Sequence, residues 1–150
     1  MSDPKEVTEL EPERVVEESR PVRTAEELGR EFFLALDARD PRQMRSTLAA
    51  HATFRAQPHA TPLRPADEIV AYFGAVVSSY PTARWEVTDV IAQGDRAAVQ
   101  FVIRELSERD GREHVFEQVA IFRCVHGKIV NIVGYYDTAT FHRLFWDEES

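Results

Sequence analysis

Cysteine is nearly missing from this sequence. Cys124 is the only one in 150 residues, so no intrachain disulfide can form, and a reducing cytoplasmic setting is expected. Long apolar runs are missing as well. None approaches the roughly 20 residues that a membrane-crossing helix needs, and the opening MSDPKEVTELEPERVVEESRP has no apolar h-region of a secretory signal. There is no basic stripe, and the net charge is −8. Nucleic acid and anionic membrane surfaces are therefore not expected as partners, because like charges repel. His51, His59, His114, His126 and His142 show no H-x-x-x-H spacing and Cys124 has no C-x-x-C partner, which argues against a metal site. No glycine-rich phosphate loop is present. Ser78-Ser79 and Cys124 lie in no G-x-S-x-G elbow, so nucleophilic catalysis has no support. No cofactor is expected, and Cys124 reads as a small core hydrophobe.

What remains is a chain with 43% hydrophobic residues, enough for one domain with a core and too short for two comfortable ones. Residues 1–22 are rich in Glu and contain Pro4, Pro12 and Pro21. With few apolar groups to offset ordering entropy they read as a flexible acidic tail, with the domain over 23–146 and a short acidic tail over 147–150.

The first firm element starts at Thr24. Thr24-Ala25-Glu26-Glu27 is a capping box, followed by Leu28, Phe32, Phe33 and Leu36 at helical spacing. Asp40-Pro41 opens a second helix as N-cap and N1, with Met44 and Leu48 inward. His51–Gln57 reads as a short strand broken by Pro58, and His59–Arg64 as a loop. Pro65 opens a third helix with an apolar stripe of Ile69, Tyr72, Phe73, Val76, Val77 and Tyr80, and Pro81 ends it. Trp85–Ile91 alternates as a strand. From Gly94 to Asp137 three long strands follow, turning at Asp110-Gly111 and His126-Gly127. Thr138–Trp146 fits a short helix or arm. Helices followed by strands only indicate an α+β domain with a mostly antiparallel sheet.

The segments LRPADEI, VTDVIAQGDRAAVQF, FRCVHGKI and YYD, in this order after a helix pair, resemble the nuclear transport factor 2-like superfamily and its SnoaL-like, polyketide cyclase-like branch. The resemblance spans about Thr24 to Phe145. It implies a strongly bent sheet wrapped as a cone around the N-terminal helices, with an apolar pocket inside and a homodimer through the outer sheet face. Such families include polyketide cyclases, a ketosteroid isomerase, an epoxide hydrolase, a dehydratase and proteins without catalysis, so fold alone does not assign activity. The carboxylate base of isomerase-like members falls here on Ala56, their tyrosine on Phe32 and their buried acid on Ala120. The epoxide-hydrolase carboxylate falls on Gly134, and its Arg-x-Asp segment on Val102–Glu105, where the order differs.

The polar groups left over define the candidates. Asp137, Tyr136 and His51 are the catalytic candidates: an acid at the end of the last strand, a hydroxyl donor beside it, and a base titrating near neutrality. Asp137 reads equally as an N-cap of the segment after it. The expected walls of the pocket are Phe32, Phe54, Tyr72, Phe73, Trp85, Phe101 and Phe122, with Gln100 and Gln118 to orient a ligand. Two functions follow. One is acid–base isomerase, cyclase or hydrolase chemistry on a small apolar molecule. The other is a non-catalytic ligand-binding or dimerising module.

Overall fold

The structure is a computed structural model that describes residues 22–137 and 139. The acidic N-terminal stretch through Pro21 and the arm expected over Thr138–Trp146, apart from Ala139, lie outside the described residues.

The capping box forms at Thr24. The Glu27 backbone N–H donates to Thr24 Oγ1 at 3.1 Å, and Thr24 N–H donates to Glu27 Oε1 at 2.8 Å. Helix α1 (Ala25–Asp37) follows and buries Leu28, Gly29, Phe32, Phe33 and Leu36 on one face. Asp40 Oδ1 accepts from Gln43 N–H at 3.0 Å and starts α2 (Pro41–Thr47). Strand β1 (Leu48–Arg55) begins directly afterwards, three residues earlier than expected. Thr47 Oγ1 donates to the Met44 carbonyl and closes the helix, and Leu48 is already extended at φ −102 and ψ 138. Leu48 still points inward, as an element of the strand rather than the helix, and is 2% exposed. The chain continues through α3 (Ala66–Ser79), β2 (Arg84–Gln93), β3 (Arg96–Leu106), β4 (Glu113–Val125) and β5 (Lys128–Tyr135).

The five strands form one mixed sheet in the order β1-β5-β4-β3-β2, with β1 parallel to β5 and the other pairs antiparallel. The β4–β5 hairpin turns through His126 and Gly127 at φ 52 and 73, values that a glycine takes without strain. Cross-strand register sorts the side chains. Ala97, Phe122, Ile132 and Phe54 stand opposite one another on the inner face, as do Val99, Ala120 and Gly134. The outer face carries Gln100, Val119 and Tyr135 in one row and Ala98, Ile121 and Val133 in the next.

Helix α1 lies tight on the inner face. A Cβ added at Gly29 would sit 2.7 Å from Val99 Cγ2, so glycine is what allows the approach. Phe32 and Phe33 pack their rings on Phe122 at centroid distances of 5.6 and 5.9 Å. Helix α3 is held differently. Only Ala66 and Ile69, in its first turn, are buried. Its far end is secured by Arg39, whose Nη2 donates to the carbonyls of Tyr80, Pro81 and Ala83 at 3.2, 3.1 and 2.9 Å. The same guanidinium lies 5.6 Å from the Trp85 ring, a cation–π distance. Among the described residues no helix is long and apolar enough to cross a membrane.

Candidate functional site

Between the inner sheet face and α3 lies a cavity of about 170 Å³. Its floor is made of small residues. Ala120 and Gly134 are cross-strand neighbours, and Ala56 follows the end of β1. At Gly134 an added Cβ would lie 2.5 Å from the Ala56 carbonyl oxygen. The position to which the resemblance assigns an epoxide-hydrolase carboxylate is thus closed by main chain. Gln57 Nε2 donates to the Tyr136 carbonyl at 3.1 Å and holds the two chain segments at this spacing.

The walls are aromatic. Helix α1 contributes Phe32, Phe33 and Leu36, while β2 and β3 contribute Trp85, Phe101 and Ile103. Helix α3 roofs the space with Tyr72, Phe73, Val76 and Tyr80. Ring contacts tie roof to walls: Phe73 lies 5.3 Å from Phe32 and 4.9 Å from Phe54, and Tyr72 lies 5.4 Å from Phe54. Such geometries add to the burial energy of each ring.

Five side chains on the lining carry a polar group: Tyr72, Tyr80, Tyr136, Gln118 and, through its indole N–H, Trp85. Burial pushes the Tyr72 phenol above its ordinary range, and the neighbouring phenols of Tyr136 and Tyr80 push the same way. Burial, then Tyr80, raises Tyr136 likewise. Both phenols are therefore neutral near pH 7 and can donate a hydrogen bond. The Gln118 amide has no hydrogen-bond partner among the described residues and can donate or accept. No carboxylate, imidazole or thiol lines the cavity among these residues. The arrangement can enclose an apolar body and hydrogen-bond its polar atoms; it offers no strong base.

Of the residues expected to contact a ligand, Phe32, Phe54, Tyr72, Phe73, Trp85, Phe101 and Gln118 border the cavity. Gln100 does not: it is exposed on the outer face, because alternation from the buried Phe101 turns it outward. Phe122 is wholly buried beneath Phe32 and Phe33, in the packed core rather than at the cavity surface. Among the catalytic candidates Tyr136 borders the cavity. His51 is exposed on β1, and Asp137 is exposed, its Oδ1 accepting from Ala139 N–H at 3.1 Å as a local cap. Tyr80, expected only as part of an apolar stripe, also brings a hydroxyl-bearing side chain to the lining. Its spacing of four and eight residues from Val76 and Tyr72 was the available signal.

Residues 29–132 match the SnoaL-like domain, more than half of the chain. The chain belongs to the SnoaL-like domain family. Solved structures give the same fold for this SnoaL-like protein. An NTF2-like protein of unknown function from Burkholderia pseudomallei is 23% identical, with 80% of this chain and 95% of that one covered at a TM-score of 0.69. IdmH, a proposed polyketide cyclase from Streptomyces antibioticus, is 18% identical, with 81% and 98% covered at 0.72. TerC, co-crystallised with polyporic acid, is 19% identical, with 79% and 95% covered at 0.67. The SnoaL-like chain thus has the α+β, nuclear transport factor 2-like cone, built on a mixed five-stranded sheet. Nothing among curated protein sequences matches it.

Proposed function

We propose that the cone cavity binds a small, largely apolar molecule, oriented by the phenols of Tyr72, Tyr80 and Tyr136 and by the Gln118 amide. The observation that carries this reading is the lining itself: aromatic walls, a floor of small residues, and the polar side chains of Tyr72, Tyr80, Tyr136 and Gln118. Pockets of this character are the usual small-molecule sites. At about 170 Å³ the space is smaller than the roughly 300–1,000 Å³ of drug-sized sites, so its occupant has the size of roughly two fused rings. That TerC was co-crystallised with polyporic acid supports a small organic ligand for this cone. Native mass spectrometry of the purified protein tests the reading. A bound small molecule is expected on the wild type and not on Ala120→Leu, which fills the floor. Equal occupancy of both proteins, or titrations in which no aromatic probe binds the wild type, would sink it.

A second reading, acid–base turnover, has one observation in its favour, the half-buried phenol of Tyr136 on the cavity lining. In that reading Tyr136 donates a proton or hydrogen bond to a substrate oxygen. Asp137 and His51, being exposed and away from the cavity lining, take no part in it. Loss of product formation in Tyr136→Phe with ligand affinity retained is the expected signature; unchanged turnover would exclude the role.

The partner we propose is a second copy of the chain, docked on the outer face of the sheet. Tyr135 there is 47% exposed and stands beside Val119, which with Ala98, Ile121 and Val133 forms a half-buried apolar patch; Val115, 48% exposed, lies beyond Glu117 on the same face. Sedimentation equilibrium should give a dimer, and Val119→Glu a monomer. A monomeric wild type at micromolar concentration would overturn it.

A further inference from the structure

The outer face of the sheet is striped. Its middle is apolar: Ile91, Ala98, Ile121 and Val133 stand side by side across four strands, with Val119 and Tyr135 in the next row. Ile91 is 72% exposed. Alternation along β3 and β4 puts a charged row on either side of this band. Toward the β4–β5 turn, Arg96 and Arg123 stand directly opposite each other. Toward the other end, Glu86 and Glu117 flank Val102.

Each charged row lacks part of its counter-charge. Two guanidiniums at directly opposed positions repel. Asp95 approaches Arg123 at 3.7 Å, and Arg96 has no ion pair among the described residues. In the acidic row Arg104 lies 3.5 Å from Glu86. Arg84, the next cation along that edge, is taken up by Asp37 at 2.7 Å. Glu117 is exposed and has no ion pair among the described residues.

A second copy can lie face to face on this band about a twofold axis that runs either along the strands or across them. An axis along the strands sets Arg123 over its own copy and Glu117 over its own copy. An axis across the strands, level with Ala120, lays β4 antiparallel on the same strand of the partner. Ile121 and Val119 then stay over apolar residues, and Arg123 comes over the partner's Glu117. Packed sheets lie about 10 Å apart, a gap that an arginine and a glutamate span together. The geometry points to the second arrangement: a twofold dimer whose axis crosses the strands, with Arg96 and Arg123 of each protomer against Glu117 of the other. This rests on the dimer reading above and adds the orientation, which that reading leaves open. Charges beside an apolar band fix register and exclude the wrong orientation more than they add affinity.

The test is charge reversal in the full chain. Arg123→Glu and Glu117→Arg each set like charges across the interface. Each should raise the dimer dissociation constant in sedimentation equilibrium by at least about a hundredfold. Mixed in equal amounts, the two variants should recover affinity to within about tenfold of the wild type, because every reversed charge then meets its opposite. Native mass spectrometry should show the mixed dimer, since the two chains differ in mass. If either variant dimerises as the wild type does, or the mixture stays monomeric, the orientation is wrong while the dimer reading stands. If the wild type is monomeric at micromolar concentration, both fail. Should a reversed variant not fold, single cysteines in a Cys124→Ala background decide instead. A bismaleimide of about 10 Å should join Arg123→Cys to Glu117→Cys and neither variant to itself. A self-joined product, or the absence of a mixed one, overturns the proposal.

Discussion

Helices α1 and α3 lie over the same sheet face, yet one is welded to it and the other spans a gap. Helix α1 brings Gly29 against Val99 and sets two phenylalanines on Phe122, all of them buried. Helix α3 buries its first turn, leaves Val70, Phe73, Val76 and Val77 half-exposed, and has a cavity beneath it. A second space of about 440 Å³ opens between α3 and the α1–α2 corner, lined by residues such as Leu36, Met44, Phe73 and Val77. The difference separates a close-packed side of the fold from a loosely packed one. Close packing fixes the cone on the α1 side, and incomplete packing on the α3 side leaves the space a ligand can enter.

The largest expected effect breaks the welded side. Phe122→Ala should cost about 3–5 kcal/mol, whereas Val77→Ala under α3 should cost about 1 kcal/mol or less, since its side chain is only half-buried. Urea unfolding measures both; equal losses would contradict the asymmetry. A pair of glycines sharpens it. Gly29→Ala drives a methyl into the stiff Val99 side chain and should destabilise the fold by about 1–3 kcal/mol. Gly74→Ala on α3 meets nothing within 4 Å and should stabilise it by about 0.5–1 kcal/mol through lower chain entropy. Opposite shifts in melting temperature are the expected result, and shifts of the same sign would refute the packing account.

The smallest effect is on pH dependence. Tyr72 and Tyr136 have phenols raised above the ordinary value of 10.0. The unfolded state therefore releases these protons first. Their contribution to stability is full below about pH 10 and is lost as pH rises through the folded values. Cys124, pushed up to about 11 by burial and then by Asp95, acts in the same direction, so the measurement is made in a Cys124→Ala background. Hydrogen-exchange protection, corrected for the intrinsic base-catalysed rate at each pH, should fall in α3 before α1 as the pH is raised, and less so in Tyr72→Phe. A uniform fall in protection along the chain would argue against phenols placed under α3.

Local signals were the legible ones. The capping box at Thr24, the Asp40-Pro41 restart and the glycine turns are written in neighbouring residues, and each forms as read. The segment resemblance carried the fold further, to the cone. The parallel pairing of β1 with β5 is a contact between residues some 80 positions apart, and nothing local announces it. The start of β1 was misplaced because Leu48 satisfies a helical and an extended pattern equally, both turning it inward. Alternation separated Gln100 from Phe101 and Glu117 from Gln118 but could not say which faced the cavity; packing against α1 decides that.

The lining of the cavity is not equally free to change by mutation. The floor at Gly134 abuts the Ala56 carbonyl, and a main-chain atom is the same whatever side chain its residue carries. Substitution can repaint the aromatic walls or trim the helical roof, but at position 134 every alternative residue collides with backbone. The walls, the roof and Ala120 are therefore the variable part of the container, and the Gly134–Ala56 contact is a fixed datum from which any redesign of its shape would have to be measured.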